Sequence, residues 1–126
     1  MLEINLNLQR PVVAAACRDF GQTYSDAHYI YRAENRGEII ATGLFEIGGT
    51  DVRVLGYDGP TDDHFLLDGI LRAGLHYAET HGIETGLLPE EFRHKHRALF
   101  TGLNYPPTIS FNIVNFFSKY KNCARL

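Results

Sequence analysis

The chain has 126 residues, of which 44% are hydrophobic and 21% charged, and a formal net charge of −3 at pH 7. That length suits one domain with its own core, the mixture excludes a disordered chain, and the acidic balance offers no basic face to nucleic acid. Its two cysteines, Cys17 and Cys123, share no Cys-x-x-Cys spacing. No apolar run approaches the ~18 residues of a membrane span, and MLEINLNLQR lacks a basic segment followed by an apolar one. A cytoplasmic, soluble protein with no membrane partner is therefore expected.

Leu2, Ile4, Leu6 and Leu8 alternate with polar residues, the period of a half-buried strand. Pro11 suits a helix's first turn, and VVAAACRDF continues it; the simplest account of Cys17 is a small buried apolar residue. After a loop over 21–27, three strands are expected in a meander. They are His28–Asn35, Gly37–Ile47 after a tight Asn35-Arg36-Gly37 connection, and Thr50–Tyr57 after a Gly48-Gly49 turn. Val52 and Val54 share a face of the last, with Gly56 next in the same register.

The period then lengthens. Thr61 or Asp62 is expected to cap a helix reaching about His81, with Leu67, Ile70, Leu71, Gly74 and Ala78 on its apolar stripe. Gly69 and Gly74 imply close packing of that helix on the sheet, and Gly82 ends it. IETGLL reads as a short strand and PEEFRHKHRALFTGL as one helix, with Asn104 in a left-handed position behind it. TISFNIVNFF reads as a final strand and SKYKNCARL, about 118–126, as a frayed tail. The expectation is one domain over 1–126, α/β (α+β) in class, with element order β-α-β-β-β-α-β-α-β, a mixed, mostly antiparallel sheet and helices on both faces.

Six histidines raise the question of a metal, but no ligand spacing supports one, and surface histidines are expected, His94 and His96 among them. The basic run Arg93–Arg97 reads as a solvated face beside Glu90 and Glu91. Strand packing accounts for Phe111 and Phe116; Phe117 and Tyr120 are left over and point to a homodimer contact.

Two stretches resemble the GNAT (acyl-CoA N-acyltransferase) family. DHFLLDGILRAGLHYAETHGI, residues 63–83, looks like the family's central helix, and LFTGLNY, residues 99–105, like its L-Y-x-x-x-G-F segment. The resemblance implies a GNAT-like fold in which acetyl-CoA lies between the fourth and fifth strands, its pyrophosphate on amide groups at the central helix's N-terminus. Carried over by position, the cofactor-binding residues are Leu55, Gly56, Tyr57, Gly59, Asp62 and Phe65. The implied reaction is acyl transfer to a small amine or peptide acceptor, with Glu46 or a water as base and no catalytic residue fixed.

The sequence departs from that pattern at the chemistry. Asp62, Phe65 and Leu67 align with the Gln/Arg, Gly and Gly/Ala positions of the phosphate loop, and Asp58, Asp62 and Asp63 bring negative charge to a ligand that is itself negative. Phe100 stands at the tyrosine that protonates the departing thiolate, and Tyr105, at the family's Phe position, is expected in the core. A degenerate acetyltransferase is one expectation; a non-catalytic GNAT-fold binding or protein-interaction domain is the other.

Overall fold

A computed structural model of the chain describes residues 1–124, with side chains through Ser118. Its strands form one sheet in sequence order. β1 (Leu2–Asn7), β2 (His28–Asn35), β3 (Glu38–Gly48) and β4 (Asp51–Asp58) run antiparallel, β5 (Thr85–Leu87) lies parallel to β4, and β6 (Ser110–Asn112) returns antiparallel to β5. α1 (Arg10–Asp19) links β1 to β2, and α2 (His64–Thr80) makes the crossover from β4 to β5. α3 (Glu90–Lys95) and α4 (Arg97–Phe100) precede β6, and α5 (Ile113–Ala124) follows it.

The hairpin chemistry is local. Arg36 and Gly37 sit at φ 54° and 83° between paired Asn35 and Glu38, a two-residue loop with both residues left-handed, as the strands' twist prefers. The next loop is Gly49-Thr50, one residue later than expected, because Gly48 still pairs with Asp51.

Each sheet face has its own core. Val13, Ala16 and Cys17 of α1 pack on Ile30 and Leu44. Leu67, Ile70, Leu71, Leu75 and Ala78 of α2 pack on Phe45, Val52 and Val54 across the other face, as their spacing implies. At Gly74 the helix backbone comes so close that Phe45 lies where a Cβ would stand, and Tyr29 Oη donates to the Gly74 carbonyl at 2.6 Å. Phe117 joins the α2 side as a partly buried residue, so intramolecular packing already uses it; the side chains of Tyr120 and Cys123 lie outside the described residues.

The C-terminal third differs from the sequence expectation in several ways. The last strand covers only Ser110–Asn112, and a helix follows through residue 124 where strand and frayed tail were expected. Asn112 Oδ1 accepts the Asn115 N–H at 2.8 Å, a helix cap, and Ile113, Phe116 and Phe117 then fall at helical spacing. The expected helix over 89–103 is broken at His96, which leaves helical geometry at φ −109°, ψ 24°. Asn104 is not left-handed; Arg36 is the sole non-glycine residue with positive φ among those described.

Arg93 is also not part of a solvated face. Its guanidinium donates to the carbonyls of Pro106 (2.6 Å), Thr108 (2.7 Å) and Leu88 (3.3 Å), tying the 104–108 segment to α3. Arg93→Met keeps the apolar stem and orphans three carbonyls. The expected cost is about 2 kcal/mol, a fall of roughly 8 °C in melting temperature. An unchanged thermal melt would remove Arg93 from the forces that hold this segment.

Candidate functional site

The pairing of β4 with β5 stops early. Asp51, Val52 and Arg53 pair with Thr85, Gly86 and Leu87; β5 then ends, and β4 runs on to Asp58 with no strand beside that edge. Between Leu44 and Phe45 the β3 ladder steps from Gly56 to Val54, which leaves Leu55 as the extra residue of a β-bulge. The bulge reverses the side-chain alternation. Val54 faces the α2 core, whereas Leu55 and Gly56 face α1, so Gly56 does not share the Val52–Val54 face as the simple period implied.

Between the free edge of β4 and α3 lies a cavity of about 360 Å³, large enough for part of a small ligand. Val54, Leu55 and Gly56 form one wall, Phe92 and His96 the other, and Phe20 from the end of α1 the cover. The Phe20 ring packs against Gly56, where a Cβ would stand 2.4 Å from it. His96 was expected at the surface, but its Nε2 is buried without a hydrogen-bond partner among the described residues, its ring meeting Tyr57 edge-on and Phe92 at 4.7 Å. Burial first, and Lys95 second, hold the His96 pKa below the usual imidazole range, so the ring is neutral at pH 7. Tyr57 Oη is likewise buried and unpartnered, and burial, with the Asp63 and Asp58 carboxylates, pushes its pKa up to about 12.

The phosphate loop is where the structure departs most from the resemblance. Asp63, and not Thr61 or Asp62, caps α2: its Oδ1 accepts the Leu66 N–H at 3.0 Å. A carboxylate from the chain itself thus sits at the helix N-terminus, on a donor that would otherwise be open to an anion. Leu67 is fully buried in the core, and Phe65 is 75% exposed and lies against His64. Asp62 is exposed. At Gly59 a Cβ would stand 2.6 Å from Tyr57 Oη and 2.7 Å from Ala41 Cβ, so packing alone explains this glycine.

The proposed acid and base positions are also placed. Phe100 packs edge-on against Phe92 and Tyr105, and Tyr105 donates to Asp68 Oδ1 at 2.7 Å, so its proton is engaged. Glu46 lies two residues along β3 from Leu44, the partner of Gly56, and faces buried His28. His28 Nδ1 accepts the Ser25 N–H at 3.0 Å, which leaves the proton on Nε2, 3.5 Å from Glu46 Oε2. Leu55 and Gly56 line the cavity, Tyr57 meets its His96 wall, Gly59 packs on Tyr57 and Ala41, and Asp62 and Phe65 are exposed. Phe20, Lys95 and His96 also line this cavity, although Lys95 and His96 were expected on a solvated face. Among the described residues no cluster of His, Cys, Asp or Glu could hold a metal ion, and no helix is long and apolar enough to cross a membrane.

No family model matches the sequence, and no curated protein matches it either. Solved structures do. The ribosomal-protein-S18-alanine N-acetyltransferase of Escherichia coli is similar with a TM-score of 0.60 at 15% identity, over 90% of this chain and 94% of that one. A predicted acetyltransferase of Clostridium acetobutylicum, with acetyl-CoA, gives 0.58 at 12% identity over 86% and 92%. An N-acetyltransferase of Staphylococcus aureus gives 0.55 at 13% over 82% and 81%. Identities this low speak for the backbone alone, and together with the splayed β4–β5 pair and the bulge they identify the architecture: the chain has the fold of the GNAT acetyltransferases.

Proposed function

We propose that this protein is an N-acyltransferase whose acyl donor is a thioester of coenzyme A, bound with its pantetheine arm along the free edge of β4. The observation that supports this most is the bulge at Leu55, where the backbone groups of Leu55 and Gly56 lie beside a cavity instead of a neighbouring strand. Amide N–H groups presented this way can hydrogen-bond a carbonyl oxygen and hold its charge as an amine adds to the carbonyl carbon. The donor supplies an electrophilic carbonyl; the C–N bond forms, the C–S bond breaks, the amine sheds a proton and the thiolate takes one up.

Neutral His96 and Glu91 in the cavity wall, and Glu46 on the α1 face, are groups able to take a proton near that point. Tyr57, kept protonated by its surroundings and edge-on to His96, is able to give one. These roles replace the tyrosine that Phe100 lacks. A cytoplasmic location goes with this proposal, since the donor is a soluble metabolite of that compartment.

Asp63 favours a second possibility, a non-catalytic binding domain on the same scaffold, because the helix N-terminus is already capped by a carboxylate. Titration separates the two. With acetyl-CoA at about 100 times its Kd, unfolding is expected to become about 2.7 kcal/mol costlier, a rise of several degrees in melting temperature. If millimolar CoA and acetyl-CoA leave both the melt and the calorimetric heat unchanged, the donor assignment fails and the binding-domain alternative takes its place.

A further inference from the structure

A second and larger cavity, about 600 Å³, lies between α1 and the sheet. Its roof is the small, apolar side of α1, with Val12, Ala15 and Ala16. Across its floor the register aligns three polar residues on adjacent strands: Arg32 of β2 opposite Thr42 of β3, and Thr42 opposite Asp58 of β4. Adjacent strands are about 4.8 Å apart, so the cation and the anion at the ends of this row stand about two spacings, roughly 10 Å, apart at their backbones.

Arg32 is the anomaly. Its Nε is buried and has no hydrogen-bond partner among the described residues, and its one ion pair is long, Nη2 to Glu34 Oε1 at 3.5 Å. A buried guanidinium donor thus lacks a protein partner beside the cavity, in a side chain only 23% exposed. A planar carboxylate is the group that such a fork fits. At the opposite side, Asp58 and Asp19 supply negative charge for an ammonium. Phe20 and Lys95 line both this cavity and the one at Gly56, so the two meet at the bulge.

We infer that this cavity binds a free amino acid with an apolar side chain: the carboxylate on Arg32, the amine toward Asp58, the side chain under α1. On the acyl-transfer proposal, on which this rests for its meaning though not for its test, that amino acid is the acceptor. Its amine lies on the β4 side of the cavity, the side from which the bulge is reached.

The test is calorimetric binding of L-leucine, L-methionine and L-phenylalanine, with no coenzyme present. At least one is expected to bind in the micromolar to low millimolar range. L-Leucinamide and 4-methylpentanoate, which lack the carboxylate and the amine in turn, are expected to bind at least about tenfold more weakly than leucine. Arg32→Met, which retains the stem, should give the same loss for leucine and none for leucinamide. If none of the three amino acids binds, or if leucinamide binds as well as leucine, the assignment is wrong whatever the variant does. Leucine binding without any acetyl-CoA binding would overturn the transferase proposal and keep this one; acetyl-CoA binding without any amino acid would do the reverse.

Discussion

Gly74→Ala is expected to destabilise the protein by roughly 1–3 kcal/mol, although alanine is the better helix former by about 1 kcal/mol. The added Cβ would stand 2.2–2.5 Å from three atoms of the Phe45 ring, well inside contact distance. Phe45 cannot turn aside: it is fully buried, stacked on Tyr29 at 5.3 Å and edge-on to Tyr31 at 6.4 Å. Nor can the helix back away at low cost, because the Tyr29 hydroxyl holds the Gly74 carbonyl from below.

Gly69→Ala on the same helix makes the control. There the new methyl meets only Ile4 Cδ1 at 2.8 Å, the mobile end of a side chain on an edge strand, so the helical gain is expected to survive and stability to hold or rise by up to about 1 kcal/mol. Urea unfolding with an unchanged m-value measures both. Equal effects for the two glycines would contradict the close packing of α2 on β3 that shapes this side of the core.

Those glycines also show what the sequence could convey. Gly69 and Gly74 within an amphipathic repeat imply close contact with a sheet, and the repeat itself fixes which residues of α2 are buried. The Arg36-Gly37 hairpin and the Gly82 stop were legible because a positive φ demands particular residues; Gly82 sits at 83°. The C-terminal strand was misjudged for a physical reason. Phe111 and Ile113 alternate like a strand, Ile113 and Phe116 are spaced like a helix, and only the Asn112 side chain, turned onto the Asn115 amide, decides where one gives way to the other.

The site was less legible than the fold. Residues 55–59 fall at the end of β4 and just beyond it, as expected, because the central helix fixes the segment before it. The bulge, in contrast, depends on one extra residue against β3, and a two-residue period cannot announce it. Phe20 joins His96 at one cavity and Arg32 at the other, and these come together only through tertiary packing. Phe65 and Leu67, aligned with the family's glycine positions, lie in the first turn of α2, where the helical phase puts one in water and the other in the core.

Asp63→Asn is expected to raise affinity for coenzyme A by about tenfold or more, the largest change in function that one atom's replacement should give here. Asn caps helices about as well as Asp, so the Leu66 N–H keeps its partner and the melting temperature should move little. What changes is charge. A carboxylate ~4 Å from a phosphate repels it by about 1 kcal/mol in water and about 4 near a protein surface, and Asp63 stands at the one place where the helix dipole would otherwise favour an anion. The gain should shrink as salt is raised, since screening weakens the same repulsion in the parent protein. Asp62→Asn, at an exposed carboxylate that caps nothing, should give a smaller gain. Calorimetry on the three proteins at low and high salt decides the matter. If Asp63→Asn binds coenzyme A no better than its parent, the capping carboxylate is not what opposes the pyrophosphate. If neither binds at millimolar ligand, the gap along β4 serves something other than an acyl thioester.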